Sequence, residues 1–181
     1  MIGLDSRRSF AAALIAVAAG AADADAQAVS LHGGARMYDE GAMPMVAIRT
    51  EFPLPGPLLL EFSGSVADPV DDAPRSAASL LEAQLQVEVP LGHTITPYLG
   101  AGVGAAKTYT LGVEDDEGEV AYSLGVGARI AFSEQLGLVV DARLRDFSNA
   151  AEDDHADVSV GLRYQFRPTD RPRFRGAPRR N

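Results

Sequence analysis

The sequence has no cysteine and no tryptophan. Without cysteine there are no disulfides, no thiolate metal sites and no thiol nucleophile. Aromatic residues are scarce, at 7%. Positive charge is in deficit: 16 Lys+Arg against 25 Asp+Glu give a formal net charge of -9. That argues against general nucleic-acid binding, because phosphate contacts need a basic face. No internal apolar run reaches the roughly 18 to 20 residues of a membrane-crossing helix. What is present is a chain of 181 residues with 46% hydrophobic content. That fits one domain with appendages and excludes disorder over the whole length.

Residues 1–28 read as an export signal. Arg7 and Arg8 supply the positive start, Phe10 to Ala22 an Ala-rich apolar stretch, and Ala26-Gln27-Ala28 a small-x-small cleavage site. Ser6-Arg7-Arg8-Ser9-Phe10 also resembles the twin-arginine motif, so the export route stays open.

The remainder alternates with period two. In 120–132, Val120, Tyr122, Leu124, Val126, Ala128, Ile130 and Phe132 share one face. Segments 81–91, 136–145 and 158–166 repeat the pattern. Such sustained alternation predicts strands. Weaker strands are expected at 29–38, 44–53, 57–67 and 96–109, giving eight within 29–166. In 96–109, Gly100, Gly102 and Gly104 occupy one face, which suits a strand facing a crowded interior.

These segments run to about ten residues or more, whereas soluble strands average about five or six and bilayer-crossing strands need about nine to eleven. Their polar faces collect Arg36, Arg49, Glu51, Glu61, Glu82, Glu88, Arg129, Asp141, Arg143, Arg145 and Arg163, which is six cations and five carboxylates. A small closed barrel forces such a balance, because charges in its desolvated interior must pair. Three connections are short: Pro53–Pro57, Gly92–Thr94 and Ser133–Gln135. The other four are expected to be mostly longer, and all are acidic, with Asp39 and Glu40; Asp68, Asp71 and Asp72; Glu114, Asp115, Asp116, Glu117 and Glu119; and Glu152, Asp153, Asp154 and Asp157. Strict alternation of the two kinds is what an up-and-down barrel predicts, with short periplasmic turns and longer outer loops. The expected fold is therefore all-β: an eight-stranded antiparallel up-and-down transmembrane β-barrel over 29–166, with 167–181 as a periplasmic tail.

Two motifs carry a family resemblance. Pro97-Tyr98-Leu99-Gly100-Ala101-Gly102-Val103-Gly104 is similar to a glycine-alternating central strand, and Ser159-Val160-Gly161-Leu162-Arg163-Tyr164-Gln165-Phe166 to a terminal assembly signal. With them, 29–166 resembles the small eight-stranded outer-membrane β-barrels of bacteria, the opacity-protein-like and outer-membrane protein A-type barrels. The resemblance implies an outer-membrane location and contact with lipid and lipopolysaccharide. It also implies that Ser159, Gly161, Tyr164 and Phe166 are read by the outer-membrane insertion machinery. Interfacial aromatic girdles would then rest on Tyr109, Tyr122, Phe132, Tyr164 and Phe166.

Four features bear on function. The lumen charges read as an ionic plug, with a narrow pore as the alternative. The acidic connections hold 14 carboxylates against Arg75. They form a solvated face that could bridge divalent cations to lipopolysaccharide phosphates, although no EF-hand spacing is present. Asp146-Phe147-Ser148-Asn149 is similar to the His-x-Ser-Asn segment of outer-membrane lipid A deacylases, with Asp146 where that family has its histidine base. A carboxylate is a poor base near neutral pH and would leave Ser148 unactivated. The three histidines, His32, His93 and His155, supply no spacing that repairs this, although His155 could approach across the loop. No catalytic residue, cofactor or metal site is therefore expected. Residues 167–181 hold Arg167, Arg171, Arg173, Arg175, Arg179 and Arg180 against Asp170, with three prolines, the composition of a disordered basic arm that could meet anionic lipid or the cell wall. A soluble periplasmic ligand-binding barrel remains an alternative to the membrane barrel, and fractionation separates the two.

Overall fold

Residues two apart along most of this chain share a chemistry, and the backbone follows that period. The computed structural model describes residues 28–38, 41–67, 77–89, 91, 92, 94–109, 119–147 and 155–166. They form eight strands: β1 (Ala28–Tyr38), β2 (Gly41–Pro53), β3 (Leu58–Ala67), β4 (Ala77–Glu88), β5 (Ile95–Tyr109), β6 (Glu119–Ala131), β7 (Leu136–Phe147) and β8 (His155–Gln165). Each pairs antiparallel with its neighbours in the chain, and β1 also pairs with β8, so the sheet closes on itself. The strands run 10 to 15 residues. Closure leaves no strand edge, which lipid would otherwise have to cover.

Register partners from Ala28 run through Glu51, Glu61, Gln84, Gly102, Ser123, Arg145 and His155. The next step returns to the level of Tyr38, ten residues up β1 from Ala28. A stagger of ten over eight strands tilts each strand by about 40° and leaves an interior just wide enough for side chains. An even stagger also keeps inward positions inward all the way round.

The two faces are inverted relative to a soluble protein. Leu31, Leu99, Leu124, Leu144 and Leu162 are all more than 60% exposed on the outside. Inside, the fully buried side chains include Arg36, Arg143, Gln84, Gln86, Glu51, Glu61, Asp141 and Asp157. Among the described side chains of the strands the only charged one on the outward face is Asp146, near the loop end of β7. On β6 the apolar outward set runs from Val120 to Ile130, about 25 Å of axial height at this tilt. That matches the apolar band of a bilayer-crossing barrel.

Bulky lumen groups need room, and small residues opposite them provide it. A Cβ on Gly102 would sit 2.7 Å from the Ser123 hydroxyl, and one on Gly125 would sit 2.7 Å from the Gln84 amide nitrogen. A Cβ on Gly127 would meet the Tyr98 ring and the Val140 carbonyl at 2.5 Å. The glycine column of β5 and β6 is therefore a packing requirement of the lumen. Two short turns use glycine differently: Gly56 and Gly92 have φ of 76° and 81°, a conformation open to glycine at no steric cost.

Three strands start at least three residues earlier than the sequence reading has them. β2 begins at Gly41 rather than 44, β4 at Ala77 rather than 81, and β8 at His155 rather than 158. The first acidic connection shrinks to 39–40, because Tyr38 pairs with Gly41. It is therefore the shortest connection of all, and the strict long–short alternation fails there. Alternation continues through Ala42 and Pro44 on the outward side, so the strand gains more by pairing than the loop would by spreading.

Overpacking the lumen tests this account. Gly127→Val should destabilise the barrel by about 1–3 kcal/mol, lowering the urea midpoint of the detergent-folded protein. The outward Val126→Leu should change it by less than about 0.5 kcal/mol.

Candidate functional site

The inward positions of the eight strands bring six arginines and six carboxylates into one network. Arg143 lies at its centre. Its Nη2 donates to Glu61 at 2.6 Å, its Nη1 to Glu82 at 2.8 Å and its Nε to Asp141 at 2.8 Å. All three faces of one guanidinium are thus occupied by carboxylates from three different strands. Arg49 backs this cluster, 2.9 Å from Asp141, and donates to Ser159 at 3.0 Å. Ser159 and Ser30 in turn flank the buried His32, at 3.2 and 2.8 Å.

Toward the loop end, Arg145 lies 2.8 Å from Glu82 and 3.1 Å from Asp157. Arg36 grips Asp157 with two nitrogens, at 2.9 and 3.2 Å. Toward the short-turn end, Glu51 is shared by Arg129 at 3.0 Å and Arg163 at 2.8 Å, and Glu88 lies 3.2 Å from Arg129. Two uncharged side chains join the halves. Gln86 donates to Glu61 at 3.0 Å and accepts from Arg129. Tyr98 donates to Asp141 at 2.5 Å, and its ring lies 4.2 Å below the Arg129 guanidinium.

The ends of the lumen differ. At the loop end, Leu80, Ala106, Ala121 and Phe147 form a buried apolar cluster. There His155 stands between Tyr38 and Phe147, with ring centroids 5.1 and 5.0 Å away. At the short-turn end a cavity of about 200 Å³ opens, lined among others by Glu51, Glu88, Thr94, Thr96, Arg129 and Arg163. Its charged floor is internally paired.

All eleven residues read as lumen charges project inward, and each makes an ion pair. The twelfth member, Asp157, corrects the sequence reading, which placed it in an acidic loop. β8 starts three residues earlier than expected, and stepping back by two from Ser159 puts Asp157 inside. Glu119 likewise opens β6 instead of belonging to a loop. Gln84 and Gln86 lie on the polar face expected of segment 81–91, and His32 and Tyr98, which the sequence reading did not place in the lumen, share the inward parity of their strands. What parity could not supply is the partners: Arg143–Glu61 are 82 apart in sequence, Arg163–Glu51 112 and Arg36–Asp157 121.

Asp146 faces outward and is exposed, opposite Tyr122. His155 faces the lumen on the neighbouring strand and is 5% exposed, so it does not reach Asp146 across the wall. Of the assembly-signal residues, Ser159 and Gly161 face in while Tyr164 and Phe166 face out, packed edge to face at 5.2 Å. Tyr122 and Phe132 are also exposed outward, whereas the Tyr109 side chain lies outside the described residues. The export segment except Ala28, Asp39 and Glu40, the acidic residues of 68–76, 110–118 and 148–154, Ser148 and Asn149, His93 and the segment 167–181 also lie outside them.

A closed barrel with an ionic interior and an uncharged outer belt is a protein that crosses a membrane with strands. Its fold is similar to Neisserial surface protein A, with TM-score 0.63 and 14% identity over 77% of this chain and 95% of that one. It is also similar to the N-terminal β-barrel domain of Pseudomonas aeruginosa OprF, with TM-score 0.56 and 14% identity over 77% and 98%. A third similar structure is the outer membrane enzyme PagL, with TM-score 0.52 and 15% identity over 76% and 99%. No curated protein sequence matches. The family model described as outer membrane protein beta-barrel domain matches residues 57–166. The chain belongs to that family, and its place is the lipid bilayer of the outer membrane.

Removing the central clamp should be severe. Arg143→Met leaves three buried carboxylates short of their partner and should lower the unfolding free energy by about 3–5 kcal/mol. Arg163→Gln should cost less, because Glu51 keeps Arg129 and only one carboxylate loses a partner. Urea titrations of the two variants side by side make the comparison.

Proposed function

We propose that this protein serves as a structural or surface-interaction barrel whose lumen is an ionic plug and whose acidic outer connections make the contacts. The lumen network carries this reading. Six arginines and six carboxylates are paired across the interior, and an apolar cluster lies above them at the loop end. An ion crossing the barrel would have to displace charges that already satisfy each other in a medium of low dielectric. The acidic connections would present carboxylate oxygens to divalent cations, which could bridge them to lipopolysaccharide phosphates. β8, with Ser159, Gly161, Tyr164 and Phe166, would be the strand read by the insertion machinery.

A lipid A-modifying enzyme is the second reading. It draws on the fold similarity to PagL and on the Asp146–Ser148 segment. The outward, exposed position of Asp146 fits a lipid-facing site, but the segment lacks the imidazole that would activate a serine.

Single-channel recording in planar bilayers decides between plug and pore. The expected result is a flat trace, and discrete, reproducible conductance steps from the purified protein would overturn the plug. Lipid A incubated with the folded protein should show an unchanged mass, and loss of an acyl chain would establish the enzyme instead.

A further inference from the structure

The cavity at the short-turn end stands where membrane meets water. Tyr164, Phe166 and Phe132 are exposed on the outside of the same rim, and aromatics at a barrel rim settle at the height of the lipid headgroups. Short turns mark the periplasmic rim of outer-membrane barrels. The lining combines two kinds of residue. Glu51, Arg129 and Arg163 come from the lumen, whereas Ile130, Leu136 and Leu138 occupy the lipid-facing positions of β6 and β7. At about 200 Å³ the cavity is smaller than the roughly 300–1,000 Å³ of sites for drug-sized ligands, so a small polar group suits it.

Two charges in the lining have capacity left. Arg163 is the most accessible arginine of the network, its side chain 16% exposed against 8% or less for the others. It uses Nε on Glu51 and Nη1 on Gln165, at 2.8 and 2.9 Å, and its Nη2 makes no hydrogen bond among the described residues. Glu134, on the β6–β7 turn, is exposed, and none of the six lumen arginines pairs with it. The turn that carries it is tied down. Leu136 N donates to Ser133 Oγ at 3.0 Å, and Gln165 N donates to the Gln135 carbonyl at 2.8 Å. Glu51 and Glu88 balance Arg129 and Arg163, so Glu134 leaves the lining with one negative charge in excess. A lone anion would be opposed by that excess, and a lone cation would leave Arg163 Nη2 unused. A zwitterion satisfies both.

We propose that this cavity binds the ethanolamine headgroup of a phospholipid from the periplasmic-side leaflet, its phosphate at Arg163 and its ammonium at Glu134. The acyl chains leave over Leu136 and Leu138 into the hydrocarbon. Ethanolamine is selected over choline because an ammonium donates hydrogen bonds to a carboxylate and a trimethylammonium has none to donate.

Native mass spectrometry of the full chain, folded and delipidated in detergent, provides the test. Phosphatidylethanolamine should bind about tenfold or more tightly than phosphatidylcholine or phosphatidylglycerol, the effect of one charge-assisted hydrogen bond. Glu134→Gln should erase that preference, and heat-dependent gel mobility verifies that the variant folds, as expected for an exposed turn position. Equal binding of the three lipids overturns the proposal, as does a folded Glu134→Gln variant that keeps the preference. Soluble phosphoethanolamine at the same concentration should leave the lipid bound. Displacement by it would make the ligand a free zwitterion and overturn the lipid assignment. A full chain with the six arginines of 167–181 replaced by glutamine should bind as the parent does. Phosphatidylethanolamine binding seen in that variant alone would make those arginines the partners of Glu134 and overturn the proposal.

Discussion

Hydrocarbon accepts no hydrogen bonds, and the rest of this structure follows from that constraint. Every strand must find two partners, so β1 must meet β8. Eight strands closed with this stagger enclose an interior that side chains alone fill. A filled, dry interior cannot hold lone charges, so each arginine must face a carboxylate. Bulky paired groups in a narrow tube then require the small wall positions at Gly102, Gly125 and Gly127. The outward face inherits the complementary demand, and it carries Leu, Val and Phe where a soluble barrel would carry Lys and Glu.

The network is better understood as a device for register than as a store of stability. Buried ion pairs rarely repay the desolvation of both partners, and here several donors, among them Arg49 Nη1, Arg145 Nε and Gln84 Nε2, find no hydrogen-bond partner among the described residues. Glu51 and Glu61 face each other directly across β2 and β3, a repulsive arrangement in isolation. It is tolerable only when Arg129 and Arg163 reach Glu51 while Arg143 reaches Glu61. A strand shifted by one residue would turn its charges into lipid, and one shifted by two would carry them away from the partners they reach across the lumen. Each wrong register is penalised by several kcal/mol per uncompensated charge.

Much of this was legible in the sequence because one residue in two carries the signal. Period-two alternation separated the lumen set from the lipid set wherever a strand had been recognised, as in β6 and β7. The failures lie at strand ends. Asp157 and Glu119 look like members of acidic loops, since a carboxylate beside other carboxylates gives no local sign that it turns inward. The first connection is shorter than its charges suggest, because β1 and β2 pair as far as Tyr38 and Gly41. Tyr98 stands in the glycine-alternating motif of β5, where nothing local shows that its hydroxyl is committed to Asp141. The pairing itself was out of reach: charges more than 80 residues apart meet only through a closure that no local pattern encodes.

The seam between β1 and β8 has a consequence for timing. Asp157 on β8 serves Arg36 and Arg145, and Arg163 on β8 serves Glu51. Until the last strand docks, Arg36 lacks its carboxylate and Arg145 and Glu51 keep one partner each, Glu82 and Arg129, and the curling sheet presents this unbalanced set to whatever lies beside it. Such an open sheet is a poor guest for hydrocarbon. Docking of β8 removes the two exposed backbone edges and neutralises those charges in the same event. The final strand of the barrel is therefore also its last counterion, and sealing and full entry into the bilayer become one cooperative step.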